Sequence, residues 1–122
     1  MNHDFYQTIG YALAAENLQL NLSVVADSVN PLSITREAWR SIGLKNKAQI
    51  LEVEIICSNR DEHRNRIESR APDILNHKLP SWEDVLRREY EPWPEAKLVI
   101  DTAIISAYEA MNKILNRIKV LN

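Results

Sequence analysis

The sequence predicts an α/β fold with about three parallel strands flanked by helices. Two observations lead there. Short β-branched runs alternate with amphipathic stretches along the chain. The runs also lie too far apart for hairpins, so they need parallel pairing through right-handed helical crossovers. With 122 residues, 45% hydrophobic and 26% charged, the chain has the length and composition of one ordinary globular domain.

The elements follow in order. Residues from about Tyr6 to Leu20 read as a helix, with Tyr6, Ile9, Leu13 and Leu20 on one stripe. Leu22 to Asp27 reads as a short strand that Asn30-Pro31 breaks. A helix is expected from about Thr35, its cap, with Glu37 in the first turn. Ile50 to Cys57 is the clearest strand, with Leu51, Val53, Ile55 and Cys57 on one face. Glu52 and Glu54 share the other face with Ile56, an awkward place in a covered sheet.

Ser58 with Asp61 fits a capping pattern that opens a helix to about Arg70, and a loop follows to Pro80. Ser81 with Asp84 repeats the pattern and opens a helix carrying Trp82, Val85, Leu86 and Tyr90, ended by Pro92 and Pro94. Lys97 to Thr102 is the third strand. Ser106 and Glu109 form the best capping box, and Tyr108, Met111, Leu115 and Ile118 make a stripe expected to pack on the sheet.

Composition narrows the function. The net charge of -2 gives no general attraction for nucleic acid, and acids interleave with the arginines of Arg60 to Arg70. One cysteine, Cys57, excludes an internal disulfide and a cysteine zinc cluster, and it reads as a small buried residue. His63 has no second histidine at ligand spacing. No apolar run is long enough to span a bilayer and the start lacks a signal-peptide pattern, so a cytoplasmic location is expected. Gly10 and Gly43 are the only glycines, where average usage of about 7% would give about eight or nine. Such a chain has no material for a glycine-rich phosphate cradle.

From Val24-Val25-Ala26-Asp27-Ser28-Val29-Asn30-Pro31 onward, the order of motifs takes on a familial look. It continues through Thr35-Arg36, Ala38-Trp39-Arg40 and Leu51-Glu52-Val53-Glu54 into Cys57-Ser58. It resumes at Glu62-His63-Arg64, Arg66, Arg70, Trp82, Val85, Arg88, Tyr90 to Trp93 and Ile100-Asp101-Thr102-Ala103. In these segments, from about Gly10 to Ala103, the chain resembles the C-terminal portion of predicted P-loop kinases or AAA-family ATP-binding proteins, the gluconate kinase, zeta-toxin and polynucleotide-kinase-like group. The resemblance implies a single partial domain over 1–122, part of a three-layer P-loop NTPase fold, with a lid and its flanking helices at about 58–95. The family's loop G-x-x-x-x-G-K-[ST] has no counterpart, since Gly43-Leu44-Lys45 lacks a partner glycine and a hydroxyl. The chain reads as a kinase domain begun partway through.

By the same resemblance, ATP and magnesium are the cofactors of an intact domain, and possession of either by this chain alone is left open. Asp27 would orient magnesium through water, the other reading being a turn cap. Arg64, Arg66 and Arg70 would be lid arginines clamping the transferring phosphate, against a solvated helix face with i,i+4 ion pairs. Asp101 and Thr102 would lie near the adenine, or simply form a strand-to-helix turn. Asn30 and Arg36 would line the acceptor side, with turn and surface roles as alternatives. The acceptor would be a small-molecule phosphate acceptor. Trp39, Trp82 and Trp93 read as core or lid anchors.

The family's first strand would separate the strands ending at Asp27 and Cys57. Its absence calls for direct pairing of those two strands, a homo-oligomer, or a partner supplying the missing strand. The implied function is an ATP-binding, kinase-like phosphotransferase fold that is inactive alone. The alternative is a non-catalytic interaction module or a self-associating remnant of that fold.

Overall fold

A computed structural model describes residues 3–72, 74–94 and 97–121. Its elements are α1 (His3–Gln19), α2 (Ser33–Lys45), β1 (Val53–Ile56), α3 (Arg60–Ser69), α4 (Trp82–Arg87), β2 (Leu98–Asp101) and α5 (Ala107–Leu121). The class is mixed α/β, with five helices and a two-stranded parallel sheet among the described residues. Met1, Glu95 and the side chain of Tyr6 lie outside the description. Contacts fall into two compact units, Met1–Ile50 with Glu89–Pro94 and Leu51–Arg88 with Glu95–Asn122.

In the first unit α1 packs on α2. Gly10 serves that packing, and Gly43 lets the chain after α2 fold back on the helix. A Cβ on Gly10 would stand 3.3 Å from Trp39 Cη2, and one on Gly43 would stand 2.8 Å from Ile50 Cδ1. Tyr11 meets Trp39 edge-on at 4.6 Å, and Ala14 is buried in the same unit.

Both helices end in Schellman turns without glycine. Asn21 (φ 62) follows α1, with Leu22 N–H donating to Asn17 O at 3.0 Å. Lys47 (φ 56) follows α2, with Ala48 N–H donating to Gly43 O at 2.9 Å. Asparagine tolerates this left-handed conformation better than most residues. The cap of α2 is Leu32, which has no side-chain bond, and not Thr35. Thr35 lies inside the helix and donates to Asn30 Oδ1 at 2.6 Å.

The expected strand at Leu22 to Asp27 is not formed. Residues 22–29 are exposed and carry no strand pairing, so direct pairing of this segment with the strand ending at Cys57 is also absent. The physical reason is that a strand exists only with a neighbour. Its β-branched residues favour extension, but without a ladder its backbone groups turn to water.

In the second unit β1 and β2 run parallel, with Val53 opposite Leu98 and Ile56 opposite Asp101. Leu98 N–H donates to Glu52 O at 2.9 Å and Thr102 N–H to Ile56 O at 2.8 Å, closing the ladder at both ends. Ile100 is its buried apolar residue, 1% exposed. Glu54 is accounted for by Lys97, whose Nζ lies 3.7 Å from Glu54 Oε1 with both side chains largely buried.

The cap of α3 is Asn59, accepting from Glu62 N–H at 3.0 Å, and not Ser58. The capping box at Ser81 and Asp84 forms as expected, but α4 stops at Arg87, so Tyr90 lies beyond it and the prolines do not end it. Ser106 accepts from Glu109 N–H at 3.1 Å at the start of α5. The α5 stripe does not become core: Tyr108, Met111, Leu115 and Ile118 each remain at least 40% exposed. A two-stranded sheet offers too little apolar face to cover a four-turn helix. Among the described residues no helix is long and apolar enough to cross a membrane.

Candidate functional site

Parallel strands place their carboxyl ends side by side, and α/β proteins use that edge for ligands. Here β1 and β2 deliver Cys57, Ser58, Asp101 and Thr102 to it. Asp101 Oδ1 accepts from Ser58 N–H at 3.1 Å and from Ala103 N–H at 3.0 Å. Hydrogen bonds from Ser58, side chain first and then backbone, and from Ala103 hold the Asp101 carboxyl below its ordinary pKa.

Arg66 reaches this edge from α3. Its Nη1 donates to Thr102 Oγ1 at 2.8 Å and its Nη2 to Thr102 O at 3.0 Å. Glu62 accepts from the same guanidinium, and Cys57 Sγ lies 3.9 Å from Nη1. Thr102 Oγ1 in turn donates to Ile56 O at 3.1 Å. The result is a closed polar chain from the helix across both strand ends, with the arginine fork already engaged.

The three expected lid arginines do not converge. Arg64 Nε bonds Glu68 Oε1 at 2.8 Å, an exposed i,i+4 pair of the solvated-face kind. Arg70 Nη2 donates to Pro80 O at 3.3 Å, tying the end of α3 to the residue before the Ser81 cap. His63 packs edge-on to Trp82 at 5.1 Å and joins α3 to α4. Of the three, Arg66 alone reaches Asp101-Thr102. Sequence reasoning missed the parts played by Ser58 and Cys57. Ser58 was assigned to a cap, and its bond to Asp101 spans 43 residues. Cys57 is half-buried and touches Arg66, where full burial was expected.

Asn30 and Arg36 do come together, within the first unit. Arg36 is 2% exposed, contrary to a surface role. Its Nε donates to Asn30 O at 3.0 Å, Nη2 to Pro31 O at 3.2 Å and Nη1 to Pro92 O at 3.1 Å. The guanidinium also lies 5.0 Å from the Tyr90 ring centroid and 4.5 Å from that of Trp93. Pro31 O accepts from Glu91 N–H at 2.9 Å as well. This is a structural clamp, with its donors turned to backbone carbonyls. Asp27 is exposed in the unpaired 22–29 segment and ends no strand.

ATP does not fit these residues as they stand. Both glycines lie inside helices, packed against side chains and without left-handed backbone, so neither opens a ring of N–H donors. Among the described residues no group of three or more His, Cys, Asp or Glu is placed to hold a metal ion. No protein-family model matches the chain, and no curated protein or solved structure matches it. The kinase resemblance therefore rests on the order of its motifs.

The Asp101 turn makes a pH prediction. A carboxyl with a lowered folded pKa adds stability above its unfolded value, near 3.9, and loses it as pH falls through the folded value. The stability gap between wild type and Asp101→Asn is expected to shrink below about pH 4. Paired urea titrations across pH 7 to about 2.5 test this. A gap that stays constant throughout would remove the turn from the account.

Proposed function

We propose that this chain is the C-terminal part of an ATP-binding, P-loop kinase-like fold, unable alone to hold ATP or transfer phosphate. The observation that supports it is the parallel β1–β2 pair with Arg66 drawn across its carboxyl ends onto Thr102. The resemblance implies a last strand ending at Asp101-Thr102 and lid arginines at Arg64, Arg66 and Arg70, and one of those arginines meets Thr102 here. The phosphate cradle, and magnesium with it, would have to come from other residues. Arg66 would leave Thr102 for a phosphate only when such a cradle presents one. Arginine suits that exchange because its planar fork binds carbonyl and phosphate oxygens alike.

Calorimetric titration with magnesium-ATP tests the reading. No saturable heat up to millimolar nucleotide is expected from the chain alone. Saturable micromolar binding would overturn it, since another segment would then be acting as the cradle.

A second reading, an interaction module or self-associating remnant, is supported by a separate observation. Among the described residues Ala14 and Ile100 are the buried hydrophobic residues, while Val25, Ile55, Ile104, Tyr108 and many others are exposed. The accessible surface is 9510 Å². Sedimentation is expected to show concentration-dependent association. A sharp unfolding transition from a species that stays monomeric would count against this reading.

A further inference from the structure

The second unit carries an open surface hollow at the opposite end of its strands, where β2 begins. Leu98 forms one wall, and α5 supplies Lys113, Asn116, Arg117 and Val120. These four recur at i, i+3, i+4 and i+7, so they share one helix face. The hollow holds about 270 Å³, just under the range typical of small-molecule pockets.

Two cations line this space without an acid to answer them. Among the described residues neither Lys113 nor Arg117 has a hydrogen bond or ion pair. The carboxylate placed by sequence to pair with Lys113 is Glu109, four residues earlier, the favourable order for a helical ion pair. Glu109 is used elsewhere: its Oε1 accepts from the Ser106 hydroxyl at 3.3 Å, at the helix cap. Lys113 and Arg117 are thus left four residues apart with like charge, an arrangement that opposes itself on a bare helix.

We infer that this hollow binds a compact phosphate-type oxyanion. An anion seated between the two side chains would remove their repulsion. The arginine fork accepts two oxygens, the lysine adds a mobile point charge, and the Asn116 amide offers a neutral donor. Leu98 and Val120 give an apolar wall suited to the organic body of a phosphomonoester. The site is separate from Arg66 and Thr102, at the other end of β2, so it does not depend on the kinase-like reading.

The test is an amide NMR titration of the full chain with inorganic phosphate and with phenyl phosphate, at constant ionic strength against chloride. Saturable shifts at Leu98 and along residues 113–120 are expected, with phenyl phosphate the tighter ligand. The Lys113→Gln/Arg117→Gln variant keeps part of each stem at exposed positions and is expected to weaken binding by about tenfold or more. Unchanged helical circular dichroism would show the variant folded. Shifts that chloride reproduces, that persist in the folded variant, or that centre on Arg66 and Thr102 would each overturn the assignment.

Discussion

Replacing Arg36 with alanine is expected to remove about 2–5 kcal/mol from the stability of the α1–α2 unit, through carbonyls left without a donor and a lost cation–aromatic contact. The side chain is almost wholly buried, and its donors satisfy the carbonyls of Asn30, Pro31 and Pro92. Each buried carbonyl left without a donor costs about 1–3 kcal/mol, and a desolvated cation over an aromatic face adds up to about 2. Trp93 lies against the guanidinium and Trp39 in the same unit's core, so urea titration followed by tryptophan fluorescence reads the loss. Arg36→Lys retains the charge but not the planar fork, and it is expected to recover less than half of the effect. Arg87→Ala is the control, because its 3.6 Å pair with Glu83 is open to solvent. It should cost about 0.5 kcal/mol or less. An Arg36→Ala protein within about 1 kcal/mol of wild type would mean the clamp does not hold the unit together.

The second large effect belongs to Ile100. It is the largest buried apolar side chain and sits in β2, which pairs with β1. Ile100→Ala removes its methyl and methylene groups and leaves a void, at a cost of about 2–5 kcal/mol. A unit whose sheet has two strands has little else to lean on, so loss of the β1–β2 ladder is the expected outcome. Hydrogen exchange at the amides of Leu98 and Thr102 reports it directly, since both donate across the ladder. Ile100→Val is expected to cost about 0.5–1.5 kcal/mol and to keep the protection. If the alanine variant protects those amides as wild type does, the core lies elsewhere.

Local chemistry explains what was legible beforehand. The two strands at 53–56 and 98–101 stand within the β-branched runs that announced them. Ser81 and Ser106 cap their helices because a hydroxyl three residues before a free N–H needs no distant partner. Where two caps competed locally, as at Ser58 and Asn59, the reading slipped by one residue, because both side chains suit the position. The shortage of glycine left Asn21 and Lys47 to take the left-handed positions after α1 and α2.

The candidate site was legible as residue types and not as geometry. Arg64, Arg66 and Arg70 read alike in the sequence. Their separate ends on Glu68, Thr102 and Pro80 follow from which helix face meets the strand ends. Arg36 finds Pro92 across 56 positions, and no spacing rule anticipates such a bond.

By itself, then, the sequence determined the α/β class, two of its three expected strands and the serine caps at Ser81 and Ser106. The tertiary structure decided that Leu22 to Asp27 stays unpaired, that Arg36 is a buried clamp, and that Arg66 alone joins Asp101-Thr102. The difference is physical. A cap or a β-branched run acts on its own few residues, whereas a strand needs a neighbour and a buried charge needs partners that only the folded chain brings near.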